Sequence, residues 1–493
     1  MRKIGTIILH TLPYLFVFLA NIFQPTDGDL GWHLKYGEYF FKHFTPLYSN
    51  IYSTMMPGYY WPNSSWITDL LAYSLFKLGS FIGLSLASAG IVTLTFYFIS
   101  KTFKLKLLAQ AILFPILVLL LNPINSVSFR GQQISLLLMS ILLYLLESKD
   151  QYVFKTKMKR FFLIPFLFLL WINTHGEFLL GFGVLALYAV GNIIEALWSN
   201  HNLQVSIRNI FHTVKPWSFI ILASLFATLF DPFGISIYKE AFTHVGNADL
   251  KYIAEYVPFA DLSADWRNAI LVFCLLAFAS CIFFFQDVLH KKISIILTVF
   301  SLFVLCLTVK RFAWPFYYVT PGVLTAYFDL QKKENKISKT IAALIIMFAI
   351  GVTLFTNNPL KTLRNASWSA LCKDYISCSP KSADFLVKHP TSPPLWTNYN
   401  WGGYLIWNYP KIKPSIDGRM HLWKDEKGYS AFDEYYPVEQ AEISMDRTSY
   451  NSAYVWDEKP VYKKMLELVS EGKWTRIYDD GVASIFTRNQ SAF

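Results

Sequence analysis

Long apolar runs are the feature that most constrains the fold of this chain. Hydrophobic residues make up 54% of the sequence and charged residues 16%, well below the roughly 25% charge of soluble domains. Many of the runs approach the ~20 residues that an α-helix needs to cross a bilayer. Because lipid offers the backbone no hydrogen bonds, such runs must form helices. The sequence therefore predicts an α-helical polytopic membrane protein with about 11 transmembrane helices.

We place the predicted spans at residues 5–23, 80–100, 105–121, 131–147, 161–173, 177–198, 216–230, 268–285, 293–310, 312–330 and 338–356. The first is predicted to be retained, because no small-residue cleavage site follows it. Segment 66–79 has apolar residues at helical spacing but contains charges, which favours either an interfacial helix or an extension of the second span. The aromatic stretch from Leu30 to Phe44 is predicted to form another interfacial helix.

Lysine and arginine are unevenly distributed between the loops. They are more frequent in 1–4, 101–106, 148–160, 199–215, 286–292 and 331–339 than in the alternate loops, although the alternate loops are longer in total. Positive loops stay in the cytoplasm, so the N-terminus is predicted to be cytoplasmic and the tail to be outside, in a bacterial inner membrane. The net charge of +11 is thus explained by topology, and nucleic acid is excluded as a partner.

A change of composition near residue 356 predicts two domains. Residues 1–356 would form the transmembrane domain, with a first outer loop at 24–79, and residues 357–493 a small C-terminal extracytoplasmic α/β domain. In this tail, the stretch from Val461 to Glu471 is predicted to be helical. Cys372 and Cys378 lie six positions apart there; a disulfide between them depends on an oxidising compartment and is left open.

The acidic loop, Thr26 to Asp29, follows the first span. Its carboxylates, Asp27 and Asp29, can abstract a proton or hold a divalent cation such as Mg²⁺ or Mn²⁺. The alternative is structural, because Thr26 or Asp27 can cap a helix that starts near Leu30. His33 lies one helical turn after Asp29 and is expected on the same face. It would bind phosphate or tune Asp29, or be an ordinary interfacial histidine.

Further polar residues are predicted on the same outer face. Arg130 opens the fourth span and is suited to phosphate, or it extends to the membrane interface. His175 and Glu177 lie in a tight hairpin between two spans, and both are candidate substrate-binding residues. Lys310 and Arg311 are suited to a phosphate headgroup, or to lipid anchoring and topology.

Several short motifs occur in a recognisable order. They are Asp27-Gly-Asp29-Leu-Gly-Trp-His33-Leu with Gly37, Pro57-Gly58 with Trp61 and Trp66, Arg130-Gly-Gln132, Trp171-Ile-Asn-Thr-His175-Gly176, Asp231-Pro-Phe-Gly234, Trp401-Gly-Gly-Tyr404 and Asp417-Gly-Arg419. In these motifs the chain resembles bacterial membrane glycosyltransferases of the GT-C superfamily, especially the dolichyl-phosphate-mannose mannosyltransferase and RgtA-like groups. The likeness extends over most of the chain.

The resemblance implies a membrane glycosyltransferase that moves a sugar from a polyprenyl-phosphate-linked donor to an extracytoplasmic acceptor. It implies an acidic residue of the first outer loop, Asp29 or Asp27, as base or as the residue that orients the acceptor. A divalent cation is used by some members and not by others, so metal use stays open. Two other hypotheses remain: a transporter or flippase of a lipid-linked saccharide, and a non-catalytic membrane scaffold.

Overall fold

The computed structural model describes residues 2–147, 158–198, 203–244, 250, 252–253, 255–283, 293–328 and 335–489. The predicted loops at 148–160, 199–215, 286–292 and 331–339 therefore fall wholly or partly outside the described residues.

Each predicted apolar run overlaps one or two helices over most of its length, although some runs extend beyond the helix, as 293–310 extends beyond Ile293–Cys306. The helices of the first three quarters of the chain are α1 Arg2–Ala20, α2 Leu30–His43, α3 Trp66–Thr102, α4 Leu107–Asn125, α5 Gly131–Glu147, α6 Met158–Ile172, α7 Phe178–Trp198, α8 Leu203–Thr228, α9 Ser236–Thr243, α10 Ala264–Phe283, α11 Ile293–Cys306, α12 Ala313–Val319, α13 Pro321–Phe328, α14 Lys336–Thr356 and α15 Pro359–Asn365. Short 3₁₀ turns lie at Phe259–Asp261 and Lys310–Phe312.

Within the described residues, five helical stretches are long and apolar enough to cross a membrane: 66–102, 107–125, 178–195, 264–282 and 336–365. Five shorter apolar helices accompany them, namely Ile7–Ala20, Gly131–Glu147, Phe162–Ile172, Val214–Thr228 and Ile293–Cys306. The membrane setting is thus supported, whereas the count of about 11 spans stays a prediction.

Two predicted segments differ in detail from the observed helices. Segment 66–79 is helical and continues directly into the predicted second span within α3, with one non-helical residue at Ser80 (φ 52°, ψ −143°). The predicted span 312–330 is divided into α12 and α13 where Pro321 begins the second helix. Proline has no N–H to donate and its ring clashes with the preceding turn, which ends a helix at this kind of position.

The tail forms the predicted α/β arrangement. Its helices are α16 Pro380–Lys388, α17 Gly402–Asn408, α18 Ala431–Glu439 and α19 Pro460–Ser470, and its strands are β1 Leu395–Thr397, β2 Ser452–Trp456, β3 Trp474–Asp479 and β4 Ala483–Arg488. Short helical turns lie at Trp368–Ala370, Leu371–Tyr375, Tyr399–Trp401, Met420–Leu422 and Met445–Arg447. The sheet order is β1-β2-β4-β3, with β1 parallel to β2 and the other pairs antiparallel. Cys372 and Cys378 are joined by a disulfide.

Contacts divide the chain into two compact units, and the division differs from the one predicted near residue 356. The first unit contains residues 1–23, 85–242 and 250–363, and the second contains 24–84, 243–249 and 364–493. In the first unit, α6 and α7 both pack on α8, and α14 packs on α1 and α4. In the second unit, the predicted outer loop and the tail form one body, because α2 packs along α17.

Glycines permit this close packing of α2 on α17. A Cβ on Gly31 would collide with the carbonyl oxygen of Gly403, and a Cβ on Gly403 would collide with that of Gly28. A Cβ on Gly28 would lie 2.8 Å from the carbonyl oxygen of Asn400. The Asp27-Gly-Asp29-Leu-Gly and Trp401-Gly-Gly-Tyr404 motifs are therefore complementary surfaces in which side chains are excluded by the approach of two backbones.

The main core of the second unit lies between the sheet and the helices of the tail. Buried aromatic side chains fill it, including Trp396, Trp423, Tyr435 and Trp474, and Met55 of the first outer loop also belongs to it. A smaller cluster joins Trp32 and Tyr36 of α2 to Ile406 of α17. Burial of such large apolar side chains is the main force that holds the loop to the tail.

Candidate functional site

The two carboxylates of the acidic loop have different local roles. The Asp29 backbone N–H donates to Asp27 Oδ1 at 3.0 Å, a local bond of the kind that fixes turns. Asp29 occupies the N-cap position of α2, yet its side chain makes no capping hydrogen bond. The Asp29 carboxylate instead lies against Gly418, where a Cβ would collide with it. The N-cap position of α2 is therefore occupied by Asp29, and not by Asp27 or Thr26 as predicted.

His33 lies one turn into α2, as predicted, and its imidazole is paired with a buried carboxylate. His33 Nδ1 lies 2.5 Å from Asp69 Oδ1, and Asn63 Nδ2 donates to Asp69 Oδ2 at 2.7 Å. Burial lowers the pKa of His33, but the charge and hydrogen bond of Asp69, followed by the charges of Asp27 and Asp29, outweigh it and raise the pKa above its usual 6.5. The protonated form of His33 is thus favoured next to the acidic loop.

A buried ion pair anchors this part of the molecule. Arg419 donates to both carboxylate oxygens of Asp417, from Nε and from Nη2, at 2.6 Å each. Both side chains have zero exposure. Ser53 donates its hydroxyl to Asp417, and Arg419 Nη1 donates to the Tyr36 hydroxyl at 2.5 Å. The pair therefore ties the tail to α2 and to the first outer loop, and its hydrogen bonds indicate a structural role.

The first unit contains a separate group, which we call the ion-pair network: Arg130, His175, Glu177, Glu255 and Arg311. Arg130 Nη1 donates to Glu255 Oε1 at 2.5 Å, and Arg311 Nη1 donates to Glu255 Oε2 at 2.7 Å. Arg311 Nε donates to Glu177 Oε1 at 2.8 Å. His175 Nδ1 lies 3.6 Å from Glu177 Oε2. The structure thus brings together four residues that the sequence had placed on one membrane face.

Charge keeps both glutamates of the network ionised. Burial raises the pKa of Glu177, but Arg311 and His175 outweigh it and hold the pKa at about 2. The pKa of Glu255 is likewise lowered, because Arg130 and Arg311 outweigh burial. Two guanidinium groups are therefore balanced by two carboxylates. Arg311 Nη2 takes part in none of these bonds, and guanidinium carries five N–H donors.

His175 is fixed by neighbours on two helices. Its Nδ1 lies 2.9 Å from Ser135 Oγ, and Trp171 Nε1 donates to the same hydroxyl at 2.9 Å. A Cβ on Gly131 would lie 2.5 Å from His175 Cδ2, so the glycine that opens α5 makes room for the ring. The tight hairpin between α6 and α7 is confirmed, and it presents His175 to the start of α5.

Lys310 lies next to two aromatic rings. Its Nζ lies 4.4 Å from the Trp266 ring centre and 5.9 Å from that of Trp314, within the range of a cation–π interaction. Burial lowers the pKa of Lys310, against a smaller opposing effect of Glu255. The adjacent residues Lys310 and Arg311 thus have different surroundings, which the sequence prediction of a joint phosphate site did not distinguish.

Three functional neighbours were missed in the sequence: Glu255, Asp69 and Ser53. Glu255 lies in a long loop. Charge balance could have found it, because two partly buried arginines next to one glutamate require a further anion. Asp69 was noted only as a charge in an apolar helix. A buried acid in such a helix requires a partner, and in the structure that partner is His33, 36 positions earlier in the chain.

The donor set was tested for a divalent cation. Within the part of the chain that the structure describes, no group of three or more His, Cys, Asp or Glu side chains is arranged to hold a metal ion. Within those residues, Asp27 and Asp29 are therefore not joined by a third such side chain in a metal-binding arrangement. Use of Mg²⁺ or Mn²⁺ stays a prediction.

No family model and no curated protein matches this sequence. Among solved structures, the chain is similar to the oligosaccharyltransferase of Archaeoglobus fulgidus. One of these structures is tethered through a disulfide bond to an acceptor peptide containing the NVT sequon; its TM-score is 0.57 at 11% identity, over 98% of this chain and 74% of that one. The apo form gives a TM-score of 0.55 at 11% identity, over 98% and 75%.

The chain thus shares its overall fold with this oligosaccharyltransferase. At this identity the likeness shows the fold alone, and fold does not by itself establish activity. Membership of the GT-C superfamily and of its RgtA-like group, which the sequence motifs resemble, stays a prediction.

Proposed function

We propose that this protein transfers a sugar from a polyprenyl-phosphate-linked donor to an extracytoplasmic acceptor of the cell envelope. The observation that supports this most is the position of Asp29. Its carboxylate lies at the start of α2, against the backbone of Gly418. The tail residues that contact it belong to motifs shared with GT-C enzymes in the resemblance described above.

In the proposed reaction an acceptor hydroxyl attacks the anomeric carbon of the donor sugar. The new C–O bond forms as the bond between the anomeric carbon and the phosphate oxygen breaks, and its electron pair leaves with the polyprenyl phosphate. Asp29 accepts the hydroxyl proton as general base. Asp27 holds the loop through the Asp29 N–H, and His33 supplies positive charge near both carboxylates.

The leaving phosphate requires positive charge and hydrogen-bond donors. Arg130, Arg311 and His175 are the proposed phosphate ligands, with Lys310 as a further cation. Glu177 and Glu255 orient both guanidinium groups through charge-assisted hydrogen bonds, which reduces the conformational freedom lost on binding. Glu177 thus becomes a positioning residue in the proposal rather than a substrate ligand.

The experiment that tests this proposal compares Asp29→Asn with Asp27→Asn in purified protein reconstituted in lipid. Asn keeps the shape of Asp and removes the base. We expect Asp29→Asn to lower the transfer rate by about 10²-fold or more, and Asp27→Asn to lower it less, because Asn still offers an oxygen to the Asp29 N–H. Equal activity of wild type and Asp29→Asn would remove Asp29 from the mechanism. Binding of labelled lipid without turnover would favour a transporter or flippase.

A further inference from the structure

A cavity of about 660 Å³ lies within the second unit, between the loop Thr54–Tyr59 and the tail. Its volume is within the ~300–1,000 Å³ typical of small-molecule sites. The tail contributes Pro394, Asp425, Tyr429, Glu434, Ser449 and Tyr450. None of these residues belongs to the candidate site described above, although Pro57-Gly58 is among the sequence motifs.

The cavity wall is continuous with the backbone that contacts Asp29. Asp29 lies against Gly418, and the preceding Asp417 accepts the hydroxyl hydrogen bond of Ser53. The next residue, Thr54, opens the cavity wall, and its N–H donates to the carbonyl oxygen of Pro414 at 2.9 Å. A molecule in the cavity thus lies in the same unit as Asp29, the proposed base, and beside the first outer loop to which Asp29 belongs.

The loop that forms the wall is held in one shape. Asn50 Nδ2 donates to the carbonyl oxygens of Met55 at 2.9 Å and Met56 at 3.2 Å, and the Gly58 N–H donates back to the Asn50 carbonyl oxygen at 2.9 Å. Met56 (φ 47°) and Gly58 (φ 75°) are left-handed, and Gly58 is the residue that adopts this conformation without cost. A preformed wall of this kind favours binding over collapse.

The lining chemistry distinguishes between ligand classes. It includes two carboxylates, Asp425 and Glu434, and no Lys, Arg or His is among its lining residues. The Tyr429 hydroxyl donates to Glu434 Oε2 at 2.7 Å, and the Asp425 carboxylate accepts the backbone N–H groups of Lys427 and Tyr429. The carboxylates are therefore fixed in place, and a phosphate or an acidic sugar would be repelled from them.

Neutral carbohydrate fits this lining. Fixed carboxylates and tyrosine hydroxyls accept and donate hydrogen bonds to sugar hydroxyls, and tyrosine rings offer apolar faces next to those polar groups. We infer that the cavity binds a short neutral oligosaccharide, as the subsite for the acceptor glycan. The acceptor role rests on the proposed function, whereas the binding of neutral glycan does not require turnover.

Equilibrium binding to the full chain in lipid nanodiscs, without any donor, tests the inference. The probes are fluorescently labelled neutral di- to tetrasaccharides of hexoses and N-acetylhexosamines, together with sialylated and phosphorylated counterparts and a basic peptide. Two variants address the cavity: Glu434→Gln removes one charge, and Ser449→Trp fills space. Their matched controls are Glu426→Gln and Ser470→Trp, at exposed positions outside the cavity.

We expect at least one neutral glycan to bind. Both cavity variants should weaken its affinity by about tenfold or more, which for Glu434→Gln corresponds to loss of a hydrogen bond to a charged group. The controls should bind as wild type does. Absence of binding by every neutral glycan would overturn the inference, as would stronger binding of the anionic glycans or the peptide, or equal binding by wild type and both cavity variants. Because no donor is present, failure of sugar transfer leaves these outcomes unchanged.

Discussion

At the scale of single residues, Asp27 and Asp29 show what a sequence leaves unresolved. Both were candidate bases, and spacing gave no reason to separate them. The structure separates them through hydrogen bonds: the Asp27 carboxylate accepts the Asp29 N–H, while Asp29 faces Gly418. The partners that decide this lie almost 400 residues apart in the chain (Asp29 and Gly418), so no local pattern could reveal them.

His33 provides a pH prediction. A histidine whose pKa is raised on folding stabilises the protein fully below its unfolded value of 6.5 and loses that contribution as the pH rises through the folded value. Asp69→Asn removes the neighbouring charge, so the pKa of His33 should fall and this pH dependence should weaken. Imidazole NMR titration and thermal unfolding between pH 5 and 9 measure both effects. His43→Gln, at an exposed position, should leave the profile unchanged; an unchanged His33 pKa in Asp69→Asn would refute the pairing.

The Asp417–Arg419 pair gives a stability prediction. Arg419→Met leaves the Asp417 carboxylate buried without its partner, which typically costs about 3–5 kcal/mol. The matched control is Asp479→Asn, which breaks an ion pair with Arg476 in which both side chains are about one-third exposed, and there the expected change is below about 1 kcal/mol. Chemical denaturation in detergent measures the difference. Equal stability of the two variants would show that the buried pair does not hold the second unit together.

At the scale of secondary-structure elements, the apolar pattern predicted the helices well because each helix is determined by its own residues. Helix α2, the start of α5 and the helix at 460–470 were all predicted and are confirmed. The packing of 24–84 with the tail was not predicted, since burial and backbone approach between distant segments decide it. The glycines of the two motifs were visible in the sequence, but their mutual contact was not.

The close contact of α2 and α17 predicts an unusual response to alanine. Alanine is normally favoured over glycine in a helix by about 1 kcal/mol, yet Gly31→Ala should destabilise the protein because its Cβ collides with the Gly403 carbonyl oxygen. Gly90→Ala in α3 is the control, because a Cβ there meets nothing within 4 Å. Thermal unfolding should show a lower Tm than wild type for Gly31→Ala and a higher Tm for Gly90→Ala. A stabilised Gly31→Ala would contradict the packing.

At the scale of the whole molecule, the ion-pair network shows how far sequence reasoning extends. Topology placed Arg130, His175, Glu177 and Arg311 on one membrane face. In the structure Glu255 links the two arginines, and Glu177 links Arg311 to His175. The arginines had been assigned to phosphate, and their carboxylate partners were not foreseen. Three features stay predictions, namely the orientation in the membrane, the donor and the acceptor. They depend on other molecules and not on contacts within the chain.

The proposed function requires a lipid-linked sugar as the donor, and the products of transfer reveal the donor. Purified wild-type protein in nanodiscs would be supplied with a panel of polyprenyl-phosphate sugars, with nucleotide sugars as the comparison, and with envelope-derived acceptors. We expect release of polyprenyl phosphate in equal amount to the sugar transferred, and no transfer from nucleotide sugars. Transfer from a nucleotide sugar, or transport of the intact lipid-linked saccharide without cleavage, would contradict it.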